Sequence, residues 1–465
     1  MTTTALTAER AWLDGDTAAA IATADHVLTA GIDHDCVAAG VAAAAAAADG
    51  ALFDAADRWR QVAIALDGAP SVVAGGRAAL AACLVGDLDA AARDLAEARQ
   101  LRSGSAPRGV TVLLDGVDAA MEAVRGGFDR AARRLTGLAA ATVPIDPMAA
   151  ERWNDLAVTV VIAGGDDRTA QEMLAAQQDG PSTTRRRMLT AWLHLRAGRL
   201  TDARHEIAAA SGTPILRRDA VLAAAVTIGL ARRAGDQEAV RATWRRIAPV
   251  VAGADVELLL LDAWGELSAG AACVSARESD TIVEAMAAAM QNAGTPAWCE
   301  AVDQWWRLQR AVVVGDAVAA AAAAERLDEG PRAAAARAWA SVLAGTADPR
   351  TVVHTATKLA GAGQPWEAAA LCGGAARLAD PVAAKELLSA GRAFRARIAP
   401  GNSGGGLSKR ERAVAELLVD GLTHKAIGAR LYISPKTVEQ HVAKLRQKLL
   451  VSGRAELIAA LRARL

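Results

Sequence analysis

The stretch LVGDLDAAARDLAEAR (84–99) decides how most of this chain is read. One helical stretch ends at Gly86 and another begins directly after it. Glycine permits the sharp turn, and Ala91, five residues on, lets the second helix approach its partner closely. The same G-x-x-x-x-A pair stands at Gly15/Ala20, Gly50/Ala55, Gly127/Ala132, Gly165/Ala170, Gly198/Ala203, Gly315/Ala320 and Gly363/Ala368. Gly235 and Gly270, with Ala239 and Ala276 nearby, read as degenerate members. Successive glycines lie 33 to 48 residues apart. That interval, filled with helix–turn–helix sequence, is the signature of an α-solenoid. The only β-prone runs, VTVLL (110–114) and VTVVIAG (158–164), sit inside helical-length segments. The spacing predicts an all-α body over residues 1–398.

The glycine–alanine turn resembles the inter-helix turn of tetratricopeptide repeats. The aromatic positions of that repeat are mostly vacant, with Phe53 and Phe128 among the few that fit. Eleven tryptophans stand against one tyrosine and three phenylalanines. Trp59, Trp153, Trp192 and Trp244 lie in helical stretches and are expected in the inter-repeat core. Trp305 and Trp306 are adjacent, so on a helix they point about 100° apart and cannot both face one core. One of them is therefore expected on the concave surface, where Trp305, Trp306, Arg307 and Arg310 form a candidate effector groove.

At 465 residues and 52% apolar content the chain can bury a large core. Its longest apolar runs, such as VAAAAAAA (41–48), are too short to span a bilayer, and no secretory signal is visible at the N-terminus. Five scattered cysteines without a CxxC argue against a disulfide framework or a zinc knuckle. A soluble, cytoplasmic protein is expected, without membrane partners. No phosphate-binding G-x-x-x-x-G-K-[ST] loop exists, and the strand–helix alternation of a receiver domain is missing. His26 and His34 lie near Asp33, Asp35 and Cys36, but at no metal-ligand spacing. No catalytic residues stand out. The expectation is a protein that is not an enzyme and carries no cofactor or metal.

Zero net charge hides a split. Residues 407–465 carry 12 basic and 5 acidic side chains, and residues 1–406 carry 40 basic and 47 acidic ones. Five of the seven lysines fall in the tail. The Pro/Gly/Ser run 399–406 reads as a flexible linker between the two. An acidic body with a basic tail points to nucleic acid. In the tail, Ser408 and Glu411 form a capping box for a helix that Gly421 ends. Thr423 caps a second helix, and Ser434-Pro435 starts a third. A fourth starts near Gly453 and carries Leu457, Ile458 and Leu461. In the third helix Val438, Val442, Leu445 and Leu449 form one buried stripe, while Lys436, Gln440, Ala443 and Gln447 present the other face. Such a face fits the DNA major groove: glutamine pairs with adenine, glutamate accepts from cytosine, and alanine touches a thymine methyl.

The motifs LSKRE (407–411), LTHKAI (422–427), ISPKTVEQHV (433–442) and KLLVSGRAEL (448–457) together resemble the LuxR-type (FixJ/NarL-type) helix-turn-helix family of bacterial transcription regulators. The resemblance implies a four-helix domain over 407–465 whose third helix enters the major groove and whose fourth commonly dimerises. It places base reading on Glu439, Gln440 and Ala443, and backbone contacts on Lys425, Ser434, Lys436, Thr437 and Lys444. His441 matches a usual histidine and, read from the helix alone, equally braces neighbouring helices. Leu450 stands where relatives often have glycine, and Gly428 where they usually have alanine, at a helix-propensity cost of about 1 kcal/mol. The resulting expectation is a sequence-specific DNA-binding transcriptional regulator, homodimeric and nucleoid-associated when bound, with an effector- or partner-binding body. An interaction scaffold with a weakly binding tail is the alternative that Glu439, a negative charge among phosphates, keeps open.

Overall fold

The computed structural model describes residues 2–13, 16–31, 33, 36–101, 107–140, 152–176, 184–210, 217–398, 409–420, 422–431, 433–449, 457–458 and 461. Among them twenty-two α-helices run from Thr2 to Ile398, three more lie between Lys409 and Leu449, and there is no strand. Both β-prone runs are helical, 110–114 inside Arg108–Val124 and 158–163 inside Trp153–Ala163, with Gly164 as the cap of the latter. Contacts divide the chain into two compact units, Met1–Arg395 and Ala396–Leu465. Gly15 and the run 399–406 lie outside the described residues.

Alanine sets the spacing of the body. The helix Val37–Ala48 is buried from Val41 to Ala48, which only side chains no larger than a methyl or isopropyl group allow between close neighbours. Gly86 shows how consecutive helices join. It is left-handed (φ 86°), its N–H donates to Cys83 O, and the N–H of Asp87 donates to Ala82 O. This double bond satisfies the terminal carbonyls of the helix Gly68–Leu84. The Asp87 carboxylate then accepts from the N–H of Ala90 and caps the next helix. The same joint recurs at Gly165-Asp166. The alanines five residues beyond Gly50, Gly86, Gly165, Gly198, Gly315 and Gly363 are fully buried.

Two members of the glycine series are corrected. At 127 the turn glycine is its neighbour Gly126 (φ 96°), paired with fully buried Ala131, while Gly127 has an ordinary negative φ. Gly270 makes no turn. It lies inside the helix Leu261–Ala272, where an added Cβ would meet Ile228 Cγ1 at 2.3 Å.

Alternate helices stack side by side, and the row curves until distant members meet. The N–H of Phe53 donates to Asp255, 202 positions on, and the Asp255 N–H donates to Gly50 O. Trp298 Nε1–H donates at 2.9 Å to Val124 O, 174 positions away, with its ring edge-on to Phe128. Early and late helices of the body are thus joined directly.

Its interior holds a buried charge network. Asp262 accepts from Arg196, from Arg332 at 3.3 Å and from Trp306 Nε1 at 2.6 Å. Glu266, one turn on and fully buried, binds Arg232 and Arg233, each at 2.8 Å, and Arg233 continues to Glu367 at 3.0 Å. Burial opposes the ionisation of Asp262, but Arg332 and Arg196 overcome it and hold the carboxyl at about 2.

Acid sensitivity starts elsewhere. Burial, aided by Arg199, pushes His194 down to about 4, and Arg199 Nε–H donates to its Nδ1 at 2.8 Å. The native ring is therefore neutral with Nδ1 as acceptor. Between its ordinary value and about 4 only the unfolded chain takes up this proton, so His194 contributes stability above that window and loses it as pH falls. Asp167 and Asp219, both raised by burial, act in the opposite sense. They cancel when the wild type is compared with His194→Gln. The stability advantage of wild type over this variant is expected to shrink from pH 7.5 to pH 4.5, read by denaturant unfolding; parallel profiles would remove the assignment.

Candidate nucleic-acid interface

The tail is built around its third helix, Pro435–Leu449. Thr423 Oγ1 accepts from the N–H of Ala426 and opens the helix His424–Leu431. After that helix the N–H of Ile433 donates back to Gly428 O at 2.9 Å, folding the turn onto it. Ser434 Oγ accepts from the N–H of Thr437 at 3.0 Å, and the two hydroxyls pair at 2.7 Å. Pro435 occupies the first turn, where its missing N–H costs no bond.

Val438, Val442 and Leu445 are buried against Val414, Leu418, Ile427, Leu457 and Leu461. That packing turns the opposite face outward. Lys436, Glu439 and Gln440 are exposed on it, and Lys425 is exposed on the preceding helix. Ser434 is exposed and Thr437 half-buried, and both hydroxyls serve the cap. Ala443 and Lys444 continue the same helix, but their side chains lie outside the described residues, as do Ser408, Gly421 and Leu450. Leu457 and Ile458 are helical, with Leu457 and Leu461 in the core, so sequence beyond the third helix closes the domain.

Gly428 is more than a propensity loss. An added Cβ would lie 2.7 Å from Ile433 O and 3.4 Å from Pro435 N, so a glycine here lets the turn close down on its helix. His441 is half-buried with Nδ1 unpartnered, in keeping with a bracing position.

The groove expected in the body divides in two. Trp305 and Trp306 are both buried, at 3% and 5% exposure, although the helix Ala297–Val314 points them apart. The expectation that one would stand on an open surface fails because this helix is covered on two sides. Trp306 sits against Gly265, where an added Cβ would meet its ring at 2.1 Å, and Arg332 lies 5.2 Å over Trp305. Arg307 and Arg310 take a third direction and line a cleft of about 490 Å³.

Trp59, Trp192 and Trp244 are buried, and Trp153 packs into the notch at Gly116. Asp33 accepts from the N–H groups of Ala38 and Ala39, which makes it a helix cap, while His34 and Asp35 lie outside the described residues. Burial pushes the Cys83 and Cys299 thiols up to about 12 and Cys372 to about 11, away from nucleophilic use. Among the described residues no His, Cys, Asp or Glu group could hold a metal, and no helix is long and apolar enough to cross a membrane.

Comparison with known proteins falls on this same tail. Residues 406–461 match the family described as bacterial regulatory proteins, luxR family. The chain is 49% identical to the spore germination protein GerE of Bacillus subtilis over 55 residues, which are 12% of this chain and 74% of GerE. It is 55% identical over 51 residues to the transcriptional regulatory protein UhpA of Escherichia coli, covering 11% of this chain and 26% of UhpA. Over 60 residues it is 48% identical to the probable transcriptional regulatory protein NarL of Mycobacterium tuberculosis, covering 13% of this chain and 28% of NarL. The chain thus spans most of GerE but only about a quarter of the other two. Through its C-terminal helix-turn-helix, the chain belongs to the LuxR family of bacterial regulatory proteins.

Proposed function

We propose that the whole chain is a sequence-specific, DNA-binding transcription regulator, acting in the cytoplasm as a homodimer, and that its helical body binds an effector controlling the tail. One observation carries the DNA half. The third tail helix buries Val438, Val442 and Leu445 and thereby exposes Lys436, Glu439 and Gln440 together. Glu439 and Gln440, with Ala443, read base edges; Lys425, Ser434, Lys436, Thr437 and Lys444 meet the backbone. The body, with its own core and a cleft lined by Arg307 and Arg310, supports the sensing half.

The two kinds of contact are separable in solution. Lys436→Ala is expected to weaken binding to all duplexes alike and to flatten the log–log salt dependence by about one. Gln440→Ala is expected to cost about 1–3 kcal/mol on the preferred site only, relaxing selection at one base pair. Fluorescence anisotropy across a salt series, after selection of genomic fragments by the full chain, measures both. Salt-independent binding, or equal effects of the two substitutions on all sequences, would overturn the base-reading assignment.

A further inference from the structure

The cleft in the body is lined by the helices Ala276–Asn292, Ala297–Val314 and Ala317–Glu325. Its volume, about 490 Å³, falls in the range of small-molecule sites. The polar lining is unbalanced. Arg307, Arg310 and Arg326 face one carboxylate, that of Asp280, with Gln304 beside them. Arg307 is already tied to Asp303 at 2.6 Å.

Arg310 differs from every arginine in the interior network. Its hydrogen-bond partner is neutral: Nη1–H donates at 2.9 Å to Ser268 Oγ, whose own proton goes to Gly265 O. Among the described residues no carboxylate lies within 4 Å of it; Asp303 and Asp280 act only from farther away. Burial, with Arg307 adding repulsion, brings this guanidinium down to about 10. A guanidinium has five N–H donors and no acceptor, so most of its capacity is unmatched by charge. Arg196, Arg232 and Arg233 in contrast each bind at least one carboxylate within 3 Å.

The rest of the cleft is apolar. Val283, Ala311, Ala319 and Ala323 form its wall, and Val314, 63% exposed, stands at its rim. A cation left short of counter-charge beside an apolar wall calls for a ligand with both properties. We propose that this cleft is the effector site and takes a small organic acid. Its anionic head lies between Arg310 and Arg307, and its apolar body lies along Val283, Ala311 and Val314. This assignment rests on the reading of the body as an effector-binding unit and names the class of effector.

The test uses the full chain, with phenylacetate and hexanoate as probes, phenylacetamide and hexanamide as their neutral counterparts, and inorganic phosphate at matched ionic strength. At ~20 mM, and for millimolar dissociation constants, the two acids are expected to raise the thermal transition of the body by about 2–4 °C, while the amides and phosphate do not. Arg310→Met is expected to abolish that shift without lowering the unliganded transition, and Arg310→Lys to keep part of it. Titration calorimetry on the same variants gives a second readout independent of unfolding. Absence of any acid-dependent shift, an equal shift with the amides or phosphate, or a full shift in Arg310→Met would overturn the assignment. DNA binding is followed in the same samples. An acid shift that needs Arg310 but leaves DNA occupancy unchanged supports the cleft and removes only its control of the tail.

Discussion

Glu266→Ala is expected to destabilise the body by about 3–5 kcal/mol. Glu266 is fully buried and holds two guanidinium groups at 2.8 Å each. Its loss leaves Arg232 without a carboxylate and Arg233 with Glu367 alone. Uncompensated charge in a dry interior is the costly outcome, and it outweighs the few methylene contacts removed with the side chain. Glu266→Gln keeps the shape and part of the hydrogen bonding, so its cost should be smaller. Combining Glu266→Met with Arg232→Met should recover part of the loss, because the charge goes with its partner. Denaturant unfolding of the four proteins measures the series. A loss under ~1 kcal/mol for Glu266→Ala would mean that water reaches the site and screens it.

Gly428→Leu should abolish DNA binding while leaving the main unfolding transition of the body in place. The added side chain would begin 2.7 Å from Ile433 O, and the three atoms nearest its Cβ all belong to the backbone. None of these three can swing aside as a side chain would. Overpacking of this kind costs about 1–3 kcal/mol, a large share of what a domain of some sixty residues has available. The turn it displaces sets the start of the third helix, so Lys436, Glu439 and Gln440 move with it. Loss of tail helicity by circular dichroism, together with loss of binding, is the expected pair of readings. Retained binding within twofold would show that the turn yields without moving the helix.

The contrast between the two positions shows what was legible beforehand. The tail could be read closely because its information is local: the Ser434 cap, Pro435 and the valine–leucine stripe all lie within the sixteen residues 434–449. The exposed face then follows from the buried one. In the body, the glycine turns were legible because left-handed φ and a helix stop coincide on one residue. Their following aspartates, as in Gly86-Asp87 and Gly165-Asp166, were an available signal for caps that alanine counting passed over. Gly270 misled for the opposite reason. A glycine inside a helix and a glycine after it look alike until the neighbour is known, and here the neighbour is Ile228.

The tryptophans carry the same lesson. Gly116, Gly265 and Gly374 each receive an indole from another helix, namely Trp153, Trp306 and Trp339. The largest and smallest side chains are thus exchanged between stacked helices. This accounts for three of the eleven tryptophans, Trp306 among them. The ion network was beyond any local reading, since its partners lie 29 to 134 positions apart. No periodicity links Arg233 to Glu367.

The bond from Trp298 to Val124 O bears on how the chain folds. An open array of repeats gains its contacts from immediate neighbours, can nucleate anywhere, and loses end repeats one at a time. Here the early turns are held by residues synthesised some 170 to 200 positions later. Contact order rises, and closing so long a loop precedes the contacts that reward it. The body should therefore fold slowly for an all-helical protein and melt as one cooperative block. Fragments that end before residue 298 would emerge with the Phe128 edge uncovered, a sticky seam until the last repeats arrive.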